Sequence, residues 1–446
     1  MTVKRLLSID GGGIRGIIAA EVLVAIEKAL KENKQCERLS DYFDFISGTS
    51  TGSIIAAGLA IGMSAQEILN IYTTKGKQIF SSNNNQYSKQ DIIEALGIKK
   101  EWGKQLFVKG LLKLFKGQQE ALKQKLFTRY TGEYLEKELS DVFGDITMTS
   151  PNGLKTNLMI VTNNVTQGEV WFFTNNSVKG TGTYNEKSKY LNLYENIPLW
   201  KIVRSSCAAP TFFPPFSITV KVPNQSSTTK YEEKECEFID GAISPYNNPS
   251  FQLFLEAVHP DYNTGWETGV DKILLVSVGT GYAYTKIESG KAKESNNAVW
   301  GQYVIEDLMS QVNRQQNHFM KLVSQQKMSN NSSNFLNKIN KFKIVPEKKE
   351  LFTYCRFTTS FTVDRFKQLM KDNFLQLKDE NKKLILAEDI TNINKVVNNL
   401  KKMDCVDQID NLSAIGQAVA QEQFDISLFP DLSKDENVSN ESSKNE

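Results

Sequence analysis

Histidine is nearly absent from this chain, with two in 446 residues. His259 stands before Pro260 and Asp261 in a turn-like stretch, and His318 lies in a polar Gln/Asn-rich helical stretch, so both read as surface or half-buried residues. Cysteine is also scarce. Cys36, Cys207, Cys236, Cys355 and Cys405 are scattered without C-x-x-C or paired spacing, which argues against a metal site and a disulfide framework and for reduced structural thiols. No apolar run approaches the ~20 residues a membrane-spanning helix needs. Met1 is followed directly by strand-like residues, with no charged-then-apolar leader and no small-residue cleavage site. Cytoplasmic synthesis is therefore the expectation, and export by a route that reads no leader stays compatible with it. Finally, 53 basic residues nearly cancel 51 acidic ones, so no global field for nucleic acid is implied.

Against those absences stand two glycine-rich turns in the first fifty-two residues: Asp10-Gly11-Gly12-Gly13-Ile14-Arg15-Gly16 and Gly48-Thr49-Ser50-Thr51-Gly52. Each closes a short apolar strand and opens a helix. The second fits a nucleophile elbow, in which glycines on either side let the backbone bend sharply and push the serine oxygen outward. The first lays backbone N–H groups at a helix N-terminus, an array suited to an oxyanion. Gly11 to Gly16 also fits the G-x-G-x-x-G dinucleotide fingerprint, but the strand after it, Phe43-Asp44-Phe45-Ile46, runs into the serine elbow and not into an acidic residue for a ribose hydroxyl. Ile18, Val22, Ala25, Ile26 and Ala29 form a helical stripe after the first turn. Residues 53–61, after the second, are apolar nearly all round, as in a buried helix.

A serine needs a base, and the better candidate than either histidine is Asp240. It ends the short apolar strand Cys236-Glu237-Phe238-Ile239 and is followed by Gly241 and Ala242. Asp-Gly-Gly-Gly-x-Arg-Gly, Gly-x-Ser-x-Gly and Asp-Gly-Ala in this order resemble the patatin-like phospholipases, lipid acyl hydrolases with a Ser-Asp dyad and no catalytic histidine. Further landmarks are residues 125–130 and 135–143, the 204–213 stretch with Ala208-Ala209-Pro210, and residues 411–416; the resemblance covers most of residues 4–425. It implies Ser50 as nucleophile and Asp240 as proton acceptor. Gly11, Gly12, Gly13, Arg15 and Gly16 would form or support the oxyanion hole, with Gly48, Thr49, Thr51, Gly52, Gly241 and Ala242 as elbow and supporting positions. The chemistry is sound from below: a carboxylate with a reference pKa near ~4 is a poor base in water, but desolvation raises its proton affinity. Asn163 and Asn164 depart from a segment where the family often carries an aspartate.

The resemblance implies a lipid acyl hydrolase of phospholipase A type acting on membrane glycerolipids without metal or cofactor. Its fold would be an α/β three-layer α/β/α sandwich of patatin type with additional C-terminal helices. We expect a catalytic core over residues 1–300, helical and strand additions over 301–431 and a disordered tail over 432–446. Residues 311–349, rich in Asn, Gln, Ser and Lys, read as a long loop or exposed helix. Two alternatives have different mechanisms. One is a non-catalytic lipid-binding or regulatory module on the same fold. The other is a Ser-His-Asp α/β-hydrolase-type esterase, whose chain order Ser50, Asp240, His259 satisfies. That fold usually places several strands before its elbow, whereas about one strand-helix unit fits ahead of Phe43 at ~5 and ~12 residues per element. Residues 99–125 carry eight lysines against Glu101 and Glu120, interleaved with Trp102, Phe107, Leu111, Leu114 and Phe115. The segment reads either as a solvated lysine face, the commoner role of a charge run, or as a peripheral contact with anionic lipid, which gains weight if the substrate lies in a membrane.

Overall fold

The computed structural model describes residues 2–33, 35–80, 128–176, 196–223, 231–260, 262–283, 290, 297–327 and 349–432. Among these residues nine strands form one sheet: β1 (Lys4–Ile9), β2 (Phe45–Thr49), β3 (Asn157–Asn164), β4 (Glu169–Thr174), β5 (Phe216–Pro223), β6 (Tyr231–Asp240), β7 (Ile273–Val278), β8 (Gln325–Gln326) and β9 (Thr353–Phe357). Their order is β5-β6-β3-β2-β1-β7-β9-β8, with β4 paired to β3. The run from β3 to β8 is parallel, while β4, β5 and β6 form an antiparallel flank.

The central strands are apolar on both faces, and the period of two in a strand sends alternate residues to opposite sides. In β1, Leu7 and Ile9 enter one core and Leu6 the other; in β7, Leu274 and Val276 oppose Ile273 and Leu275. Sheets of this kind are covered on both faces by helices, which gives three layers. The larger layer holds α1 (Gly16–Glu32), α2 (Leu39–Tyr42), α3 (Thr51–Ala60), α4 (Ala65–Ile79), α5 (Glu133–Phe143) and α6 (Leu199–Ser206). The smaller holds α7 (Ser250–Val258) and α8 (Asn297–Val323), through Leu253, Phe254, Ala257 and Met320. Three C-terminal helices, α9 (Val363–Lys371), α10 (Ile390–Leu400) and α11 (Ile409–Gln423), return to the larger layer, where Leu412 and Ile415 join the α1 core. Helix starts follow local chemistry: Ser64 accepts from the Glu67 N–H and Glu67 reaches back to the Ser64 N–H, a capping box that opens α4.

Residues 311–323 are the end of α8, with Gln316 and Met320 buried, so this part is a half-buried helix and not a loop. Residues 328–348, the tail beyond Leu432 and the lysine-rich 99–125 segment lie outside the described residues. Among the described residues no helix is long and apolar enough to cross a membrane.

Candidate active site

The serine and the aspartate meet because two strands end head to head on one edge of β3. Val161 pairs with Thr49 at the end of β2, and the next residue, Thr162, pairs with Asp240 at the end of β6. Both residues have β4 on their other edge, through Phe172 and Trp171. β2 runs parallel to β3 and β6 antiparallel, so the two C-termini point at each other. Ser50 leaves β2 and Asp240 closes β6 at that meeting point. Gly241 must be glycine here, since a Cβ would lie 2.4 Å from the Val161 carbonyl oxygen.

Ser50 has φ 54° and ψ −130°, the strained bend expected of an elbow, at a cost of about 1–3 kcal/mol. Its Oγ donates to Asp240 Oδ2 at 2.6 Å, and the other carboxylate oxygen accepts from the Ala242 N–H at 2.7 Å. Burial pushes the Asp240 carboxyl up to about 7, against the two hydrogen bonds, which pull it down. A hydroxyl held this way can pass its proton directly to a carboxylate whose affinity suits neutral pH. Around the pair the backbone is pinned. The Ser50 N–H donates to Ser206 Oγ at 2.9 Å, whose hydroxyl donates to the Val161 carbonyl at 2.6 Å. Asn163 Nδ2 donates to the Asp240 carbonyl at 3.0 Å, so the asparagine in place of an acidic residue is an anchor for the strand end. Thr49 Oγ1 donates to the Tyr246 carbonyl, and the Thr51 carbonyl accepts from Tyr72 Oη. Burial, with the Asp240 carboxylate second, pushes the Cys207 thiol up to about 12, so it stays protonated and is no rival nucleophile.

The glycine turn leaves β1 beside this pair, since Ile9 lies in register with Gly48, and an ideal Cβ on Gly11 would be 2.9 Å from Ser50 Cβ. Asp10 at its base is buried in a bidentate ion pair with Arg356 on β9, at 2.8 and 2.5 Å. Two of the glycines expected in the oxyanion hole have their N–H groups committed elsewhere. Gly11 donates to the Asn247 carbonyl at 3.1 Å, and Gly16 donates back to the Gly13 and Ile14 carbonyls. Among the described residues the Gly12 and Gly13 N–H groups have no partner. Arg15 Nε donates to the Gly12 carbonyl at 3.2 Å and its guanidinium lies over the Phe361 ring, so it braces the turn.

Ser50, Asp240, Gly11, Gly12, Gly13 and Arg15 share one cavity of about 950 Å³. Ile54 of α3, Ile68 and Ile71 of α4, Leu135 and Leu139 of α5, and Phe212 and Phe213 give it apolar walls. Val363, Val397 and Met403, from the C-terminal additions, close another side. Neither histidine lines it: His259 caps α7 in the smaller layer against Tyr262, and His318 is exposed on α8. Ser206, Asn247, Thr280 and Arg356 were not identified from sequence. Their positions, at the last residue of α6, after β6 and β7 and within β9, carry no local pattern that distinguishes them from packing residues.

Residues 7–254 match the family model described as Patatin-like phospholipase. Patatin-like protein 1 of Arabidopsis thaliana is 29% identical over 314 residues, which are 66% of this chain and 62% of that protein. Patatin-17 of Solanum cardiophyllum is 27% identical over 309 residues, 66% of this chain and 64% of that protein. The matched region thus spans just under two thirds of these relatives' own length. VipD from Legionella pneumophila aligns over 80% of this chain and 61% of that chain, at 16% identity and a TM-score of 0.29. With its family model covering more than half of the sequence and both glycine turns in place, this chain belongs to the patatin-like phospholipase family.

Proposed function

We propose that the chain is a lipid acyl hydrolase of phospholipase A type that cleaves fatty-acyl esters of membrane glycerolipids with a Ser50-Asp240 dyad. The single observation that carries this reading is the 2.6 Å hydrogen bond from Ser50 Oγ to Asp240 Oδ2 at the wall of an apolar cavity. As Ser50 Oγ bonds to the ester carbonyl carbon, its proton passes to Asp240, and the carbonyl oxygen becomes an oxyanion facing the Gly12 and Gly13 N–H groups. Collapse of that intermediate breaks the bond to the leaving alkoxide, which takes the proton back from Asp240. Water then gives its proton to Asp240, attacks the acyl-enzyme and releases the fatty acid, and the proton returns to Ser50. A volume of about 950 Å³ lies at the upper end of the ~300–1,000 Å³ typical of small-molecule sites. Burying an acyl chain contributes about 0.8 kcal/mol per methylene, so the walls favour long chains.

The test is release of free fatty acid from mixed phospholipid vesicles. We expect release by the purified protein and none by Ser50→Ala, whose fold and thermal midpoint should stay near wild type. Specific lipid binding with no release by wild type would instead identify a non-catalytic lipid-binding module on this fold.

A further inference from the structure

An unpartnered amide stabilises a developing oxyanion only if its direction is fixed before the reaction. For Gly12 that direction is set by a residue outside both glycine turns. A trans peptide is planar, so its C=O and N–H point in opposite directions. In the peptide joining Gly11 to Gly12, the Gly11 carbonyl accepts from Thr280 Oγ1 at 2.7 Å. Thr280 is 2% exposed and does not line the cavity, whereas Gly12 does. The carbonyl is therefore turned into the protein and the Gly12 N–H turned away from it, to the cavity side.

The sheet places Thr280 there. Ile9 of β1 is in register with Val278 of β7, so two residues beyond each strand end the chain brings Gly11 beside Thr280. The approach is close on the other side as well: a Cβ on Gly12 would lie 2.2 Å from Thr280 Oγ1, which only glycine avoids. The preceding peptide is fixed too, by the Gly11 N–H on the Asn247 carbonyl. We infer that Thr280 is a positioning residue of the oxyanion hole, acting through the Gly11 carbonyl to aim the Gly12 N–H at the substrate. It lies beyond the 7–254 region that matches the family model, and the inference rests on the hydrolase reading above.

The test compares Thr280→Val, which keeps the shape and removes the donor, with Thr280→Ser, which keeps the donor. Each is assayed for kcat and KM on a short-chain ester. Each is also assayed for affinity towards a trifluoromethyl ketone, whose adduct with Ser50 is a tetrahedral anion, and towards the matching ether, which forms none. Thr280→Val should lose about 10- to 100-fold in kcat with KM within about twofold. Ketone affinity should fall by the same factor, ether affinity should hold, and Thr280→Ser should stay within a few-fold of wild type. Thr280→Ala reads the same loss if the valine variant does not fold by circular dichroism. A folded Thr280→Val with wild-type kcat, while Ser50→Ala is dead, overturns this inference and leaves the hydrolase reading standing. Equal losses of ketone and ether affinity, with no rescue by serine, reduce Thr280 to a packing residue. A wild-type protein without esterase activity overturns both.

Discussion

Replacing Asp240 by asparagine should abolish hydrolysis and, above neutral pH, stabilise the protein. The buried carboxyl holds its proton up to about 7, compared with 3.8 in its ordinary state, chiefly because burial penalises the charged form. Between those two values the folded chain binds a proton that the unfolded chain has released, so stability falls as pH rises through the interval and stays low above it. At ~1.4 kcal/mol per pH unit, the loss reaches about 4 kcal/mol by pH 8. Asparagine does not ionise, and its carbonyl oxygen can still accept from the Ala242 N–H, so the variant escapes that loss. For 446 residues the unfolding entropy is ~0.9 kcal/mol/K, which converts 4 kcal/mol to a shift of about 4 °C. The assay is a pair of thermal-melt series from pH 4.5 to 8.5, read as variant minus wild type. Glu256, which burial also pushes up to about 7, titrates in the same window but cancels in that difference. Wild-type kcat/KM should show an acid limb with its midpoint near 7, falling about tenfold per pH unit below it. A flat difference curve, or an acid limb near pH 4, would refute the assignment of Asp240 as a desolvated base.

The double variant His259→Gln, His318→Gln should keep most of its ester hydrolysis, measured as steady-state rates on a chromogenic ester. A folded double variant slowed by a factor of a thousand or more would restore the triad mechanism, in which losing the histidine costs roughly four to six orders of magnitude. Replacing Lys104, Lys109, Lys113 and Lys116 by glutamine should weaken binding to anionic vesicles by roughly 1 kcal/mol per lysine, with activity on a soluble ester intact. Vesicle affinity that is unchanged and independent of salt would assign that segment to a solvated helix face.

Much of the site was legible because its signals are local. The turns at residues 10–16 and 48–52 each follow a short apolar strand and precede a helical stretch, striped after the first and apolar nearly all round after the second, and they appear as β1-turn-α1 and β2-elbow-α3. Asp240 was legible as an acidic strand end before glycine. What stayed hidden depends on distant pairing. The β3 strand is apolar only over residues 158–161, but it runs on through the polar Thr162, Asn163 and Asn164 because β6 takes up the edge that β2 vacates. Gly11 and Gly16 look like donors in a linear motif. Only the folded turn shows their N–H groups bonded to Asn247 and back into the turn itself. The role of Arg356 as partner to Asp10 is set by a sheet order that places β9 beside β7, 346 residues away in sequence.

The head-to-head meeting of β2 and β6 makes β3 the ruler for the reactive pair. Ser50 and Asp240 are 190 residues apart, yet their separation is set by two consecutive residues of one strand. A slip of β6 by one residue would displace Asp240 by about 3.3 Å and break the contact. A change in the length of the intervening chain would leave that distance unaltered. The connection from α3 to β3, which supplies α4 and α5 and part of the cavity wall, can thus lengthen or shorten without moving the reactive pair, whereas β3, β6 and the Ser206 contact must keep their places. One scaffold of this kind can refit its pocket while keeping the two side chains in register.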